Sequence, residues 1–147
     1  MTEHQMEPAL TLDLSHDLAH ARDRVFDAWL NPDMLARFMT PGPGMTVPEV
    51  ASDAREGGRF RIVMRTPDGT DIPHEGEYRA IQRPEKLAFT WVSPNSVEGS
   101  LVTLNFEALS GGGTRVRLNQ VRFASEQARD GHIGGWTSIL AAMEGAL

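Results

Sequence analysis

The sequence predicts a single α+β domain, with an antiparallel sheet of about seven strands around a long C-terminal helix and two short helices after the first strand. Apolar and polar residues alternate along most of the chain, glycine- and proline-containing turns separate the alternating runs, and an amphipathic segment comes last. A chain of 147 residues with 40% hydrophobic content suffices for one core. The expected organisation is a flexible N-terminus over residues 1–8 and one domain over residues 9–147.

Composition argues against several classes of function. The chain has no cysteine, so disulfides and thiolate chemistry are excluded, and metal ligands are restricted to His, Asp and Glu. A net charge of -6 with scattered arginines makes a nucleic-acid partner unexpected. No targeting signal or membrane-spanning stretch is recognisable, so we expect no membrane insertion and a cytoplasmic location.

The first part of the chain predicts one strand and two short helices. Residues 10–15 alternate leucine with polar side chains, which is typical of a half-buried strand. Residues 21–30 place their apolar side chains on one helical face, and the Asn-Pro pair at 31–32 ends that helix. A second helix is expected over residues 32–39, with proline at its start. The proline- and glycine-rich residues 40–44 are then a loop.

Six more strands follow in the alternating part of the sequence. They are expected over residues 46–54, 59–66, 72–82, 86–92, 100–109 and 114–123. Because most of the segments between them have the length and composition of hairpin turns, we expect an antiparallel meander.

The register of two hairpins can be predicted from the sorting of side chains between the two faces. The pairs expected in the first are Met64 with His74, Ile62 with Gly76, Phe60 with Tyr78, and Arg61 with Glu77. The pairs expected in the last are Phe106 with Val116, Leu104 with Leu118, and Val102 with Gln120. In both, apolar residues share one face, and in the first the other face is a ladder of charges.

The last segment, residues 125–147, predicts the long helix. Ser125 is a suitable N-cap, and a broad apolar stripe follows it. The residues of this stripe are His132, Trp136, Ile139, Leu140 and Met143. Gly131, Gly134 and Gly135 lower helix propensity, which indicates either a close backbone contact or a helix that becomes regular only after them.

Five segments of the chain carry a family resemblance. They are Val25-Phe26-Asp27-Ala28-Trp29, Gly57-Gly58-Arg59-Phe60, Pro73-His74-Glu75-Gly76-Glu77-Tyr78, Phe89-Thr90-Trp91 and His132-Ile133-Gly134-Gly135-Trp136. In this order they resemble the activator-of-heat-shock-protein-ATPase homologue family of the START-like, or SRPBCC, superfamily, over residues 10–147. The resemblance implies a helix-grip (START-like, Bet v-like) fold, in which a curved sheet wraps the C-terminal helix and often leaves an apolar cavity. Residues 37–44 depart from the Arg-Trp-Trp-Gly-Pro-like segment of many members, so the cavity entrance is expected to differ.

The candidate site residues are those expected to face such a cavity. They are Phe60, Ile62, Met64, His74, Tyr78, Trp91, Gln120, His132, Trp136 and Leu140. His74 could orient a ligand or move a proton, or it could be a core histidine bonded to a backbone carbonyl. Trp136 could line the cavity or fill the core, and His132 could reach the cavity or lie near solvent.

No catalytic residue, metal or cofactor is predicted. His16 and His20 have the spacing of a helical metal pair but straddle a strand end, so we interpret them as exposed polar residues. The glycines at 111–113 lie between two strands rather than before a helix, which argues against a nucleotide site.

Three functions are compatible with these observations. The leading hypothesis is a non-enzymatic protein that binds or carries a small, mostly apolar molecule, aromatic or lipid-like, because aromatic residues dominate the expected lining. The alternatives are a cyclase- or hydrolase-type enzyme with a hydrophobic substrate and a chaperone ATPase activator, since the superfamily implied by the resemblance includes all three. A homodimer is compatible with the sequence, which does not define an interface.

Overall fold

The computed structural model describes residues 10–147, so the N-terminal segment expected over residues 1–8 lies outside the described residues. The strands are β1 (Thr11–Leu18), β2 (Thr46–Ser52), β3 (Arg59–Arg65), β4 (Asp71–Gln82), β5 (Lys86–Thr90), β6 (Leu101–Ala108) and β7 (Thr114–Val121). The helices are α1 (Arg22–Ala28), α2 (Pro32–Phe38) and α3 (Glu126–Ala146). The predicted order of elements is confirmed, although β1 continues three residues beyond the alternating leucines and β2, β5 and β7 each end two residues early.

The sheet contains seven antiparallel strands in the order β1-β7-β6-β5-β4-β3-β2. The strands from β2 to β7 form the expected meander, and β1 closes the sheet beside β7. Helix α3 contacts β1 and α2, while α2 also contacts β2, so the helices connect the two outer strands on one side of the sheet. Within residues 10–147, no helix combines the length and hydropathy that a membrane span requires.

The core lies between this side of the sheet and the helices. Alternate residues of β6 and β7 are buried, which is the period of two expected when one face of a sheet is covered. Helix α3 contributes its C-terminal half: Trp136, Ile139, Leu140 and Met143. The buried side chains form one continuous cluster, as expected for a single core.

The register predicted for the last hairpin is confirmed, but the register predicted for β3 and β4 is wrong by two residues. Ile62 lies opposite His74, Phe60 opposite Gly76, Met64 opposite Ile72, and Arg61 opposite Glu75. The cause is the turn, in which Thr66 N–H donates to Thr70 O and Gly69 N–H donates to Thr66 O, each over 2.9 Å. These bonds centre the hairpin on Asp68. Because a shift of two residues preserves side-chain direction, the predicted faces are still correct.

The outer face of this hairpin carries the expected ladder of charges. The Arg61 guanidinium donates to Glu49 over 2.9 Å and also to Glu75. All three side chains are substantially exposed, so these ion pairs contribute little to stability. These charged side chains lie on the outer face of the sheet, and the core lies on the inner face.

Helix α3 is regular from its first turn, so the expectation of a late start is wrong. Ser125 is the N-cap, and its Oγ accepts a hydrogen bond from Ala128 N–H over 3.1 Å. The close contact that the glycines indicated occurs at Gly135, where an added Cβ would lie 3.3 Å from Pro41 Cβ. An added Cβ at Gly131 or Gly134 would meet open space. Gly135 therefore allows the loop over residues 40–44 to pack closely against α3, whereas Gly131 and Gly134 leave unoccupied space beside the helix.

Replacement of Gly76, even by alanine, should destabilise the fold. A Cβ at this position would lie 2.6 Å from two ring carbons of Phe60 and would collide with the Thr90 carbonyl oxygen. We therefore expect Gly76→Ala to lower the free energy of unfolding by about 2–3 kcal/mol or more. Gly134→Ala is the matched control, because its Cβ has space and alanine favours the helix by up to about 1 kcal/mol. Urea denaturation of both variants measures the difference, and equal stabilities would contradict the prediction.

Candidate functional site

A cavity of about 460 Å³ lies between the sheet and the first half of α3. Its inner walls come from β3, β4 and the residue after β5, and its outer rim comes from the loop after α2, the β5–β6 loop and α3. The lining residues are Pro41, Met64, His74, Trp91, Ser93, Asn95, Ser125, Gln127, Ala128, Gly131, His132, Gly135, Trp136 and Ile139. Asn95, Gln127 and Gly131 are exposed, so the cavity opens to solvent beside the start of α3.

Three rings in mutual contact, tilted against each other by 36° and 52°, form the aromatic wall of the cavity. The ring centroids of His74 and Trp91 are 5.0 Å apart, and those of Trp91 and Trp136 are 4.9 Å apart. His74 points inward because it occupies a buried, alternate position of β4, and Trp136 lies on the buried stripe of α3. Flat apolar surfaces of this kind suit an aromatic ligand.

His74 is the most unusual polar residue of the cavity. Its side chain is buried, and its Nδ1 has no hydrogen-bond partner. Burial is the main cause that lowers the pKa of His74 from 6.5 to about 4; the nearby His132 contributes in the same direction, and the backbone of Ile62 and Ile72 opposes the shift. The imidazole is therefore neutral at neutral pH and has an unused polar atom inside the protein.

His132 lies on α3, on the same side of the cavity as the mouth. Its Nδ1 is 2.8 Å from the Ala128 carbonyl oxygen, and its ring packs against Phe123 with centroids 5.1 Å apart. Because a carbonyl can only accept, Nδ1 carries the hydrogen and the neutral ring has its free acceptor at Nε2. His132 is half-buried and lines the cavity, which combines the two positions considered from the sequence.

The indole of Trp136 is held by a buried chain of hydrogen bonds. Trp136 Nε1–H donates to Gln120 Oε1 over 2.7 Å, and Gln120 Nε2–H donates to Ser100 Oγ over 2.9 Å. Ser100 Oγ–H donates in turn to Val121 O over 3.1 Å. The polar atoms of Trp136 and Gln120 are thus used inside the protein, where they orient the aromatic wall.

The ten predicted site residues divide into two equal groups. Met64, His74, Trp91, His132 and Trp136 line the cavity, whereas Phe60, Ile62, Tyr78, Gln120 and Leu140 do not. Phe60, Ile62 and Tyr78 instead surround a void of about 10 Å³ deeper in the core, and Leu140 is a core residue of α3. The Tyr78 hydroxyl lies 2.7 Å from Ser52 Oγ, and burial raises its pKa.

The remaining lining residues were missed by the sequence analysis. They are Pro41, Ser93, Asn95, Ser125, Gln127, Ala128, Gly131, Gly135 and Ile139. Most lie in the 40–44 loop, in the β5–β6 loop, or on the first turns of α3. Two signals were available in the sequence. Residues 37–44 depart from the segment found in many family members, and the glycines of α3 leave space where the helix faces the cavity.

The cavity lining is apolar and polar rather than ionic in its residue types. Among the described residues that line it, none is Asp, Glu, Lys or Arg, and His74 and His132 are the titratable side chains. In the described part of the chain, no three His, Asp or Glu side chains form a group that could hold a metal ion. The lining thus offers hydrogen bonds and apolar surface rather than ion pairs.

The two histidines with helical metal spacing lie elsewhere. His16 belongs to β1, opposite Val116, and His20 follows that strand, with its Nε2 3.0 Å from Glu144 Oε2. Both are half-buried, so the interpretation of them as exposed polar residues is corrected. The cause is the covering of the sheet end by α3, to which Glu144 belongs.

Comparison with known proteins identifies a family. The family model described as "Activator of Hsp90 ATPase homolog 1-like protein" matches residues 19–147. A search of curated proteins finds no match.

Solved structures of similar proteins match over nearly the whole chain. A Chromobacterium violaceum protein has a TM-score of 0.82 at 22% identity, with 92% of this chain and 94% of that chain covered. The AHSA1 protein of Silicibacter pomeroyi has a TM-score of 0.78 at 23% identity, with coverages of 92% and 96%. The AHSA1-like protein of Aeromonas hydrophila has a TM-score of 0.74 at 23% identity, with coverages of 92% and 94%. These likenesses and the sheet-and-helix topology confirm the helix-grip fold.

The burial of His74 should make stability depend on pH. Its folded pKa of about 4 lies below its ordinary 6.5, so the unfolded chain takes up the proton first as the pH falls. The contribution to stability is complete above pH 6.5 and is lost as the pH falls through about 4, by up to about 3 kcal/mol. We expect the unfolding free energy of His74→Phe to fall less over this range in urea titrations. Identical pH profiles would contradict the assignment.

Gln120 should stabilise the domain through the Trp136 hydrogen bond. Gln120→Met keeps much of the volume but leaves the buried Trp136 N–H and the Ser100 hydroxyl without this partner. We expect a loss of about 1–3 kcal/mol in the free energy of unfolding. Gln127→Met is the matched control, because Gln127 is exposed and its substitution should change stability by less than about 0.5 kcal/mol. Equal values for the two variants would contradict the role of the network.

Proposed function

The chain belongs to the family of Activator of Hsp90 ATPase homolog 1-like proteins, and we propose that it binds or carries a small, mostly apolar molecule in the cavity between its sheet and α3. Its START/Bet v-like fold commonly binds hydrophobic ligands. The observation that carries the proposal for this chain is the combination of an open cavity, an aromatic wall and a described lining without Asp, Glu, Lys or Arg.

The size of the cavity supports this proposal. A volume of about 460 Å³ lies within the range of roughly 300–1,000 Å³ that small-molecule sites occupy. The core next to it is closely filled, since the deeper void measures only about 10 Å³. A second cavity, of about 480 Å³, lies between α1, α2 and the end of α3, but charged residues such as Asp23, Arg24 and Arg37 line it, so it suits an apolar ligand less well.

The chemistry of the walls points to an apolar ligand. Met64, Trp91, Trp136 and Ile139 supply apolar surface, and the described lining has no arginine or lysine to bind an acidic group. Burying an unpaired charge among such side chains is costly, whereas burying a flat apolar molecule is favourable. The polar residues Ser93, Asn95 and Gln127 lie at the rim, where they can remain hydrated.

The arrangement of the histidines favours binding over proton transfer. No carboxylate lies among the described lining residues to orient either imidazole or to stabilise its protonated form. The depressed pKa of His74 also makes it a weak base at neutral pH. Both observations support a binding protein without a turnover step.

The proposal can be tested by filling the cavity from α3. Gly131 lines the cavity and has room for a side chain, whereas Gly134 has room but does not line it. We expect the neutral fluorescent probe N-phenyl-1-naphthylamine to bind the wild type saturably. Gly131→Leu should weaken binding about tenfold or more, and Gly134→Leu should leave it unchanged.

The two leucine variants are matched in helix propensity and in the residue introduced. Circular dichroism verifies that both are folded before the fluorescence titrations. An absence of saturable binding to the wild type, or equal affinities for all three proteins, would refute the proposed site.

A further inference from the structure

We propose that the free edge of β1 is the interface of a homodimer, in which β1 pairs antiparallel with β1 of a second copy and the two sheets become one. The inference is independent of the cavity and of its ligand. It is carried by an edge strand whose outward backbone groups have no partner and whose side chains complement those of its own copy in one register.

Strands β1 and β2 are the two edges of the sheet, and they differ in how they are protected. Strand β2 contains Pro48, which has no N–H to donate, and its register with β3 shifts between Thr46 and Glu49. Proline and irregularities of this kind prevent a sheet edge from pairing with another chain. Strand β1 has neither, because all 8 of its residues pair with β7 in an uninterrupted register. It is therefore the edge that can accept another strand.

The outward side of β1 presents backbone donors and acceptors. Arg122 N–H donates to Leu10 O over 3.1 Å. Because backbone groups alternate in direction along a strand, those of the even-numbered residues of β1 face β7. The groups that point away from the sheet belong to the exposed residues Thr11, Asp13, Ser15 and Asp17. Within residues 10–147, no hydrogen bond reaches these N–H and C=O groups, so the same row of a second copy can bond them.

The side chains of β1 select one register for this pair. Opposite residues of an antiparallel pair point their backbone groups at each other, so the longest symmetric registers are centred on Leu14 or on Ser15. A pair centred on Ser15 would place Asp13 opposite Asp17, which is unfavourable. A pair centred on Leu14 places Asp13 opposite Ser15 and Thr11 opposite Asp17. Each carboxylate then faces a hydroxyl that can donate to it.

The two aspartates of this edge are already held by β7. Arg115 donates to Asp17 over 2.8 and 3.0 Å, and Asn119 donates to Asp13 over 3.0 Å. Charged side chains protect an edge strand when they extend past it into water. Because the partners of both carboxylates belong to β7, the charges are drawn toward the sheet rather than past its edge. They therefore leave the edge open to a second strand.

Leu14 provides an apolar contact on the inner face of the pair. Its side chain packs against the core but is only half-buried. In the register centred on it, Leu14 meets its own copy in a non-hydrogen-bonded pair, with Cα atoms about 4.5 Å apart. Burial of its exposed part adds to the main-chain hydrogen bonds. Since one pair of strands makes a small interface, we expect a reversible dimer rather than a permanent one.

The register can be tested with a single introduced cysteine, because the chain has none and a disulfide then requires a second copy. In Leu14→Cys the two thiols would meet at the symmetry axis, at a separation that a disulfide spans. The matched control is Ser15→Cys, whose thiols would lie opposite Asp13 and too far apart to join. We expect Leu14→Cys to form at least about tenfold more covalent dimer in a glutathione redox buffer. Non-reducing gel electrophoresis measures the difference.

The main-chain pairing can be tested by sedimentation velocity on the wild type, Ser15→Pro and Ser15→Thr. We expect the wild type to change from monomer to dimer as its concentration rises. Ser15→Pro removes an outward N–H, so it should raise the dissociation constant about tenfold or more and leave the monomer folded. Ser15→Thr keeps the N–H and the hydroxyl, so it should dimerise as the wild type does. Circular dichroism verifies that each variant is folded.

The outcomes separate this interface from other arrangements. A wild type that remains monomeric at every concentration would overturn the inference and point instead to the N-terminal residues or a strand of another protein as the occupant of the edge. Equal dissociation constants for the wild type and Ser15→Pro would also overturn it, because the dimer would use another surface. Equal cross-linking of the two cysteine variants would contradict the register. If Ser15→Pro does not fold, the two cysteine variants decide.

Discussion

The hydrogen bond from Trp136 to Gln120 is the interaction on which the arrangement of the molecule depends. It joins α3 to β7 inside the core, and Ser100 extends it to the start of β6. Apolar packing alone would allow α3 to slide or rotate over the sheet, because such packing has no direction. A buried donor that must find its acceptor removes this freedom. The position of α3 then determines the width of the cavity and the orientation of its aromatic wall.

The filling of the core changes along α3, and the cavity follows from this change. The C-terminal half of the helix inserts large buried side chains such as Leu140 and Met143 into the core. The N-terminal half has glycine at three positions, and at Gly131 an added Cβ would meet nothing within 4 Å. One continuous helix thus packs on the core with its C-terminal half and borders the 460 Å³ cavity with its first half. No break in the helix is needed.

The two faces of the sheet differ in their side chains and in what those side chains contribute to stability. The outer face carries ion pairs such as those of Arg61, which lie in water and contribute little to stability. The inner face carries the core and nearly all polar atoms that must be satisfied without water. Tyr78 and Gln120 are satisfied by the protein, and His74 is not. Trp29 Nε1, which does not line the cavity, is likewise without a hydrogen-bond partner.

The sequence by itself determined the order of the elements, the faces of the strands, the register of the last hairpin and the membership in the family. These properties depend on local periodicity and on turn residues, which are visible in short segments. The structure was needed for the register of β3 and β4, because two registers sort the side chains between the faces equally well and the backbone hydrogen bonds of the turn place its centre at Asp68. The tertiary structure decided which polar side chains have hydrogen-bond partners. Tyr78 bonds Ser52 and Trp136 bonds Gln120 only after distant segments pack together. The rim of the cavity was also decided by the tertiary structure. Two loops and the first turn of α3, which are distant from one another in the sequence, come together there.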